Sequence, residues 1–298
     1  MTEHIPVLLK EVIDGLNLQE GDVVVDGTIN AGGHSFQICK YIGASGHLIG
    51  IDEDSDALVL SKEKLKNVLP KVTLINGNFR DINTLLSKIG VEKVNCVLFD
   101  IGLSNRQLTD SGRGFSFMKD EPLLMTFNPN PKEDELTAEE IVNSWDEDNI
   151  ADVIYGYGEE KFARRIAKNI VSSRTQKKIT STFELVNIIE KSIPRSFKKN
   201  KIHPATKTFQ ALRIAVNDEL RSLKDGISKG IDVLEKDGRI AIISFHSGED
   251  RIVKQMFREY QNEGVVEIIT KRPIVPSPEE LVINPKARSS KLRIVKKK

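Results

Sequence analysis

The first hundred residues alternate short apolar runs with stretches of helical length and spacing, and this alternation restricts the fold more than any other feature. The apolar runs are rich in Val, Ile and Leu, which is typical of buried parallel strands. Strands alternating with helices predict a parallel sheet with right-handed crossovers and helices on both faces. The predicted strands are Val23–Val25 into Asp26, Leu48–Asp52, Val72–Ile75 and Val94–Ile101, and the predicted helices are Ser35–Ile42, Asp56–Asn67 and Arg80–Ile89.

The alternation stops between about Asp110 and Pro204, where the sequence contains no convincing buried strand. Pro129 and Pro131 predict a loop, because each proline disfavours helical geometry in the residue before it. Helical spacing then returns, with Phe162, Ile166 and Ile170 on one face of the third helix. The four helices predicted here are Thr137–Ser144, Asp148–Tyr155, Glu159–Ser173 and Thr182–Ser192.

Alternating architecture resumes after residue 204 and completes the predicted sheet. We therefore expect an α/β domain, residues 1–112 and 213–298, that is interrupted after its fourth strand by an all-helical insertion, residues 113–212. The later elements are a long helix over about Ala205–Glu235, a strand Arg239–Phe245, a helix near Glu249–Asn262, and strands Val265–Thr270 and Leu292–Lys296.

Composition excludes several classes of protein. With 39% hydrophobic and 29% charged residues over 298 positions, the chain has the composition of a globular protein rather than a disordered one. No apolar run approaches the roughly 18 residues that a membrane span needs. Cys39 and Cys96 are the only cysteines, too few for a disulfide framework, so we expect a reducing cytoplasm. The five histidines lack metal-ligand spacing, and no metal site is predicted.

The net charge of +1 conceals two strongly basic segments. Glu133–Glu160 carries eleven acidic residues and no basic one, whereas Lys161–Lys201 carries twelve basic residues and two acidic ones. The tail from Leu281 to Lys298 has seven basic residues and no acid. Each run alone is typical of a solvated face, but two such segments beside a ligand-binding sheet favour a polyanionic substrate.

The loop after the first strand has the composition of a ligand-binding turn. Paired glycines, Gly32 and Gly33, let the backbone approach a ligand at the carboxyl edge of the sheet. Asp52 ends the second strand, where a carboxylate can accept both hydroxyls of an adenosine ribose. The loop matches neither the dinucleotide nor the P-loop pattern, so these residues predict only an adenosine-containing cofactor.

Several strings, in order from residue 4 to about residue 295, together resemble one family, the bacterial 16S ribosomal RNA cytosine-N4 methyltransferases (RsmH, also called MraW). The longest strings follow residue 200 and are the most specific. The strings are His4–Leu9, Asp26–Ser35, Gly77–Phe79, Asp100–Ser104, Gln107-Leu108 leading into Arg113–Phe117, His203–Arg213, Ser244–Ser247 with Glu249–Arg251, and Asn284–Ser289.

The resemblance implies an S-adenosylmethionine-dependent enzyme that methylates N4 of a cytidine in the decoding centre of 16S rRNA in the small ribosomal subunit. It also implies a Rossmann-like domain with a helical insertion, and it leaves the oligomeric state open, a homodimer included. Carried over by position, the cofactor contacts are Gly32, Gly33, His34, Asp52, Phe79, Asp100 and Gln107.

The chemistry of methylating a cytosine amine suggests how these residues would handle the acceptor base. Asp100 is the candidate acceptor for the proton of the amine, and Ser104 the candidate to orient the base. Phe115 or Phe117 could stack on an unstacked cytosine, although both residues also suit a hydrophobic core. The candidates for the RNA side, each of which could equally be surface charge or a helix cap, are His203, Lys207, Arg213, His246 and Arg251.

The sequence departs from the family pattern at a few positions. Asn30 replaces a glycine. Asparagine is acceptable at such a position because it adopts left-handed backbone geometry more readily than most residues. Asn105 replaces a serine and Gly248 a leucine. Leu124 and Thr126 replace an acid and an arginine, and Glu121 replaces a glycine. This altered segment leaves an alternative open: a non-catalytic RNA-binding or ribosome assembly factor that keeps the methyltransferase fold. A methyltransferase with another acceptor is a second alternative, which the basic insertion disfavours for small molecules.

Overall fold

The computed structural model describes residues 5–194 and 203–298. The chain divides into two compact units, Met1–Gly102 with Leu220–Lys298, and Leu103–Glu219. The sequence placed the insertion at 113–212, inside the second unit. His4 of the first string and four basic residues of the 161–201 segment, Arg195, Lys198, Lys199 and Lys201, lie outside the described residues.

The first unit contains a seven-stranded sheet in the order β3-β2-β1-β4-β5-β7-β6. The first five strands are parallel, and β7 runs antiparallel to both of its neighbours. All seven predicted strands are therefore confirmed, with small changes at their ends. Their bounds are β1 Val23–Asp26, β2 His47–Asp52, β3 Lys71–Asn76, β4 Val94–Asp100, β5 Leu234–Ser244, β6 Val266–Ile268 and β7 Lys291–Lys297.

The helices of this unit cover both faces of the sheet. Along β4, Val97 and Phe99 pack into one hydrophobic cluster, and Cys96 and Leu98 into another on the opposite face. Burial on both faces explains why the strands read as continuous apolar runs. The helices are α1 Leu9–Leu16, α2 Gly33–Ile42, α3 Ser55–Leu65, α4 Ile82–Lys88, α11 Glu219–Val233, α12 Ser247–Asn262 and α13 Pro278–Ile283.

The second unit is helical, as predicted. Among its described residues, extended pairing is limited to one isolated bridge between Pro122 and Ser181. Side-chain caps explain where several helices begin: Thr137 and Asp146 accept backbone N–H groups, and Ser181 forms a capping box with Glu184. The helices are α5 Asn105–Thr109, α6 Ala138–Ser144, α7 Glu147–Gly158, α8 Ala163–Arg174, α9 Thr182–Ser192 and α10 Thr206–Val216.

The prediction of one continuous helix over residues 205–235 is wrong, because the chain breaks between α10 and α11. Asp218 adopts a left-handed φ of 47°. Asn217 turns its side chain to the backbone of residues 125 and 127, donating to Met125 O at 2.7 Å and accepting from Phe127 N–H at 2.8 Å. Tertiary hydrogen bonds thus override a helical pattern that the local sequence would continue. The sequence predicted none of the helices α1, α5 and α13.

No helix in the described part of the chain is both long enough and apolar enough to cross a membrane.

Candidate active site

The register of the sheet brings the predicted cofactor carboxylates to one edge. Asp26, the last residue of β1, pairs with Gly50 on one side and Leu98 on the other. Asp52 and Asp100 each end their strand two residues further on, so both lie at the carboxyl edge beside β1. Open parallel sheets bind their ligands at this edge.

The glycine loop that follows β1 adopts left-handed backbone conformations at two positions. Asn30 has a φ of 49° and Gly32 a φ of 73°. Asn30 is therefore tolerated at its glycine position for the predicted reason. Its backbone N–H donates to Asp52 Oδ2 at 2.8 Å, and its side chain donates to Thr28 O at 3.0 Å. The loop is thus anchored to the acid that ends β2.

Asp52 is held in place by backbone donors. Oδ1 accepts from Asp54 N–H at 2.9 Å, while Oδ2 accepts from Asn30. Desolvation raises the pKa of Asp52 to about 7, although these two hydrogen bonds oppose the shift. Each carboxylate oxygen keeps a further acceptor site, because an oxygen has two lone pairs.

Phe79 lies just beyond β3 and is half-buried. Its ring packs at 4.7 Å, centroid to centroid, from that of Phe99. A Cβ placed on Gly226 would come within 2.4 Å of the ring. Part of the ring is therefore covered by the protein itself.

Three buried ionisable groups meet beside β1 and β4. Ser35 Oγ donates to Asp26 Oδ2 at 2.7 Å, and His34 Nδ1 lies 3.6 Å from Asp100 Oδ2. Desolvation raises the pKa of Asp26 to about 6 and lowers the pKa of His34. Removal from water therefore favours the neutral forms of these groups.

Asp100 carries an acceptor that the fold leaves unused. Its backbone N–H donates to Thr28 Oγ1 at 2.6 Å, but its Oδ1 is buried and makes no hydrogen bond to any described residue. Desolvation, and next the negative charge of Glu249, raise the pKa of Asp100 to about 7. An orphaned buried acceptor in a native fold needs an explanation, such as a bound ligand, an ordered water or a catalytic role.

Glu249 and His246 form the start of α12. Glu249 Oε2 accepts from Phe245 N–H at 2.7 Å, and its Oε1 lies 3.0 Å from His246 Nε2. His246 Nδ1 accepts from Glu249 N–H at 3.4 Å, which completes a capping box. Of the residues predicted for the RNA side, His246 thus caps a helix, and Arg251 is exposed in the next turn.

Ser104 and Gln107 lie in the helical unit and cap α5 reciprocally. Ser104 Oγ accepts from Gln107 N–H at 3.2 Å, and Gln107 Oε1 accepts from Ser104 N–H at 2.9 Å. Gln107 is only 5% exposed. Both side chains therefore have a structural task in addition to the roles predicted for them.

The two phenylalanines that could stack on a base differ in burial. Phe115 lies in the core of the helical unit, 5.9 Å from Phe127 and under the guanidinium of Arg113. Phe117 is half-buried, and its ring stacks at 4.6 Å on His203. Phe117 is consequently the better placed of the two to meet a substrate.

Two further residues predicted for the RNA side make contacts within the helical unit. Lys207 Nζ donates to Glu159 O at the end of α7, at 2.8 Å. Arg213 forms a two-point ion pair with Glu219, at 2.7 and 2.8 Å. Both partners of this pair are largely buried, which indicates that Arg213 stabilises the break between α10 and α11.

The segment that departs from the family pattern is folded into the helical unit. Leu123 and Met125 are buried, and Thr126 Oγ1 donates to Asn128 O at 2.8 Å. Glu121 accepts from Gly114 N–H at 2.9 Å. The substitutions therefore leave a packed and hydrogen-bonded segment.

Comparison with known proteins assigns the family. The model of the MraW methylase family matches residues 1–298. The chain belongs to this family. It is 47% identical to "Ribosomal RNA small subunit methyltransferase H" of Persephonella marina, covering all of both chains. It is 45% identical to the protein of the same name from Clostridium botulinum (strain Kyoto / Type A2), covering 99% of each.

A solved structure supports the fold of this MraW-family chain. A protein from Streptococcus mutans, described as a candidate methyltransferase and solved in complex with SAH, superposes with a TM-score of 0.50. The superposition covers 99% of this chain and 100% of the other at 13% sequence identity, so it bears on the fold alone.

Sequence reasoning missed several residues of this edge. Asp26 and Glu249 lie inside the longer strings of the family resemblance, and the sequence assigned neither of them a role of its own. Thr28, whose hydroxyl fixes the backbone at Asp100, carried no signal that distinguishes it from an ordinary turn residue. The burial of Glu249, which is 1% exposed, depends on tertiary packing that a short string does not encode.

Proposed function

We propose that this chain transfers a methyl group from S-adenosylmethionine to the N4 amine of a cytidine in the decoding centre of 16S rRNA. Methylation of ribosomal RNA is supported by membership of the methylase family over the whole chain and by relatives named for that activity. The choice of N4 rests on the family resemblance of the sequence and on the chemistry available at Asp100.

The residues at the carboxyl edge fit S-adenosylmethionine. Asp52, with acceptor sites left on both oxygens, would hold the ribose hydroxyls, and Phe79 would pack against the adenine. The loop around Gly32 and Gly33 would meet the methionine portion, and Gln107 is kept as a further candidate cofactor residue from the family resemblance. The orphaned Oδ1 of Asp100 suits a ligand that brings positive charge and hydrogen-bond donors. When bound, S-adenosylmethionine supplies an electrophilic methyl group.

Asp100 is the proposed general base for methylation of the amine. The exocyclic amine of cytosine is a weak nucleophile, because its lone pair is conjugated with the ring. Asp100 Oδ1 would accept a hydrogen bond from this amine and then its proton as the new N–C bond forms and the S–C bond breaks. A pKa near 7 matches such a general base to neutral conditions. Ser104 would orient the base and Phe117 would stack on it.

The helical unit offers a basic groove for the RNA backbone. Helices α8 and α9 and the turn between them line an open cavity of about 460 Å³. Its walls carry Lys177, Lys178 and Lys191 together with amide and hydroxyl groups. Lys177 pairs with Glu184 of the lining and Lys178 pairs with Glu139, so Lys191 is the lysine of the lining that forms no ion pair with a described residue. Such a surface would neutralise phosphates without reading sequence.

Methyl transfer from tritiated S-adenosylmethionine to small ribosomal subunits tests the proposal. The subunits should come from cells lacking this gene, and the labelled rRNA should be digested to nucleosides and analysed by mass spectrometry. We expect label in cytidine methylated at N4. Label in another nucleoside would refute the choice of acceptor, and S-adenosylmethionine binding without any transfer would favour the assembly factor.

A further inference from the structure

Residues 5–8 connect the C-terminal helix α13 to the glycine loop. Leu8 N–H donates to Glu280 Oε1 at 2.8 Å, and Asn284, at the end of α13, donates from Nδ2 to Ile5 O at 3.2 Å. Between these two contacts, the carbonyl oxygen of Val7 lies 2.9 Å from His34 Nε2. A relay of contacts therefore runs from α13 through residues 5–8 to His34.

The contact with Val7 determines which nitrogen of His34 carries the proton. A carbonyl oxygen can only accept, so Nε2 must donate, and in the neutral ring Nδ1 is then a bare acceptor. This Nδ1 is the atom that lies 3.6 Å from Asp100 Oδ2. Asp100 Oδ2 therefore faces a lone pair and receives no N–H from His34, so Nδ1 can accept from a protonated Asp100 while Oδ1 remains without a hydrogen bond to any described residue.

We propose that Glu280 and Asn284 are positioning residues for methyl transfer: by holding residues 5–8 they keep the Val7 carbonyl on His34, and so keep the bare Nδ1 of His34 facing Asp100. The inference rests on the proposed function for its catalytic consequence. The tautomer of His34 is a separate property, which can be measured without any substrate.

Two further observations indicate that the segment needs external support. Leu8 has a left-handed φ of 52°, a conformation that is unfavourable for leucine and persists only where surrounding contacts hold it. Pro6 lies directly on the glycine loop, since a Cβ placed on Gly33 would come within 2.7 Å of Pro6 Cγ. Release of residues 5–8 would therefore also uncover the loop.

The negative charges near this relay act on the pKa of His34 in one direction, since both raise it. Asp26 and Glu280 both favour its protonated form, whereas desolvation, the larger influence, lowers its pKa. Asp100 in turn is surrounded by Asp26 and Glu249 in addition to His34. Loss of Glu280 thus removes a hydrogen bond and one of the charges around the ring.

Nitrogen NMR of the His34 ring tests the relay directly. The wild type should show Nε2–H and bare Nδ1, with the His34 signals assigned from a His34→Gln variant. Glu280→Ala removes the acceptor for Leu8 N–H and should give a mixture of tautomers. Glu280→Gln keeps an acceptor oxygen and should retain the wild-type pattern. Glu279→Ala, at an exposed neighbour on α13, is the matched control.

Kinetics on the same variants test the catalytic consequence. We expect Glu280→Ala to lower kcat about tenfold, the scale typical of outer-shell positioning groups, while KM for RNA stays within about twofold. Glu280→Gln and Glu279→Ala should keep the wild-type kcat. The positioning role is wrong if Glu280→Ala keeps both the tautomer and the kcat of Glu279→Ala, or if Glu280→Gln loses the Nε2–H signal. If the wild type transfers no methyl group, the proposed function fails while the nitrogen spectrum still decides the relay.

Discussion

His34 Nδ1 and Asp100 Oδ2 lie 3.6 Å apart at the carboxyl edge of the sheet. Burial there favours the neutral form of both the imidazole and the carboxyl group. Because His34 donates its single ring proton to the Val7 carbonyl, Nδ1 is an acceptor. It can accept from Asp100 while that carboxyl is protonated, and it faces a second acceptor once Asp100 is ionised. This relationship makes Asp100 a switchable acceptor, and it leads to two predictions.

Asp100→Asn should abolish most catalysis without unfolding the protein. The amide keeps the shape of the carboxyl group and can donate to His34 Nδ1, but it cannot accept a proton from the amine. We expect kcat to fall by about 10²- to 10⁴-fold, the usual contribution of a general base. The affinity for S-adenosylmethionine, measured by calorimetry, should fall by a smaller factor. The control is Asp14→Asn, at an exposed acid on α1.

The pH profile provides the second arm of the same prediction. Wild-type kcat/KM should fall as the pH drops below about 7, where Asp100 becomes protonated. Equal turnover by wild type and Asp100→Asn would contradict the assignment. A parallel loss of cofactor binding and turnover would leave Asp100 as a cofactor ligand only.

The same carboxyl group should make stability depend on pH. Its folded-state pKa is about 7 and its ordinary value is 3.8, so the folded state binds the proton more tightly. The contribution to stability is therefore present below pH 3.8 and is lost as the pH rises through about 7. Relative to Asp100→Asn, the wild type should lose about 1–4 kcal/mol of unfolding free energy between pH 4 and pH 8. Urea unfolding without cofactor measures this difference, and an opposite sign would refute the burial argument.

Arg213 should prove structural rather than an RNA contact. Its two hydrogen bonds to Glu219 join partners whose side chains are 15% and 6% exposed. Arg213→Ala removes this two-point ion pair from a buried carboxylate and should cost about 3–5 kcal/mol. The exposed pair between Arg221 and Asp225 is the control, and Arg221→Ala should cost less than about 1 kcal/mol. Chemical denaturation compares the two, and a stable Arg213→Ala with weakened RNA binding would reverse this conclusion.

The basic groove predicts a specific salt dependence of RNA binding. Lys191 on α9 lines the groove, Lys168 is exposed on α8 outside its lining, and no ion pair involving either is found in the described ranges. Replacing both with alanine should weaken binding of small-subunit rRNA and reduce the slope of log affinity against log salt by about one for each lysine. Lys62→Ala, on α3 of the other unit, should leave the slope unchanged. An unaltered slope in the double variant would place the phosphate contacts elsewhere.

The elements that the sequence predicted well are those with a strong period. Strands β1, β2 and β4 are apolar because both of their faces are buried, and this pattern is local enough to be read from the chain. The break at Asn217 and Asp218 could not be read in this way, since its cause is a pair of hydrogen bonds to residues about ninety positions earlier. Helix α13 is short and buries no residue completely, so it lacks the apolar stripe by which helices are recognised.

The sequence located the candidate site only through the rule that open parallel sheets bind ligands at the carboxyl ends of their strands. Asp52 and Asp100 follow that rule. The arrangement around them did not follow from it, because Thr28, Glu249 and Glu280 reach the edge from separate loops and helices. Their importance comes from burial and hydrogen bonding, which no spacing in the sequence encodes.

Asn30 provides the final prediction, because a departure from the family pattern has a measurable backbone cost. Its φ of 49° suits glycine and asparagine but not a β-branched residue. Asn30→Val should destabilise the protein by about 1–3 kcal/mol. Asn30→Gly should stay within about 1 kcal/mol of the wild type, since the relief of the left-handed conformation offsets the lost bond to Thr28 O. Both variants keep the backbone N–H that binds Asp52, so urea unfolding isolates the backbone effect. Equal stability of the two variants would show that this turn does not require a left-handed residue.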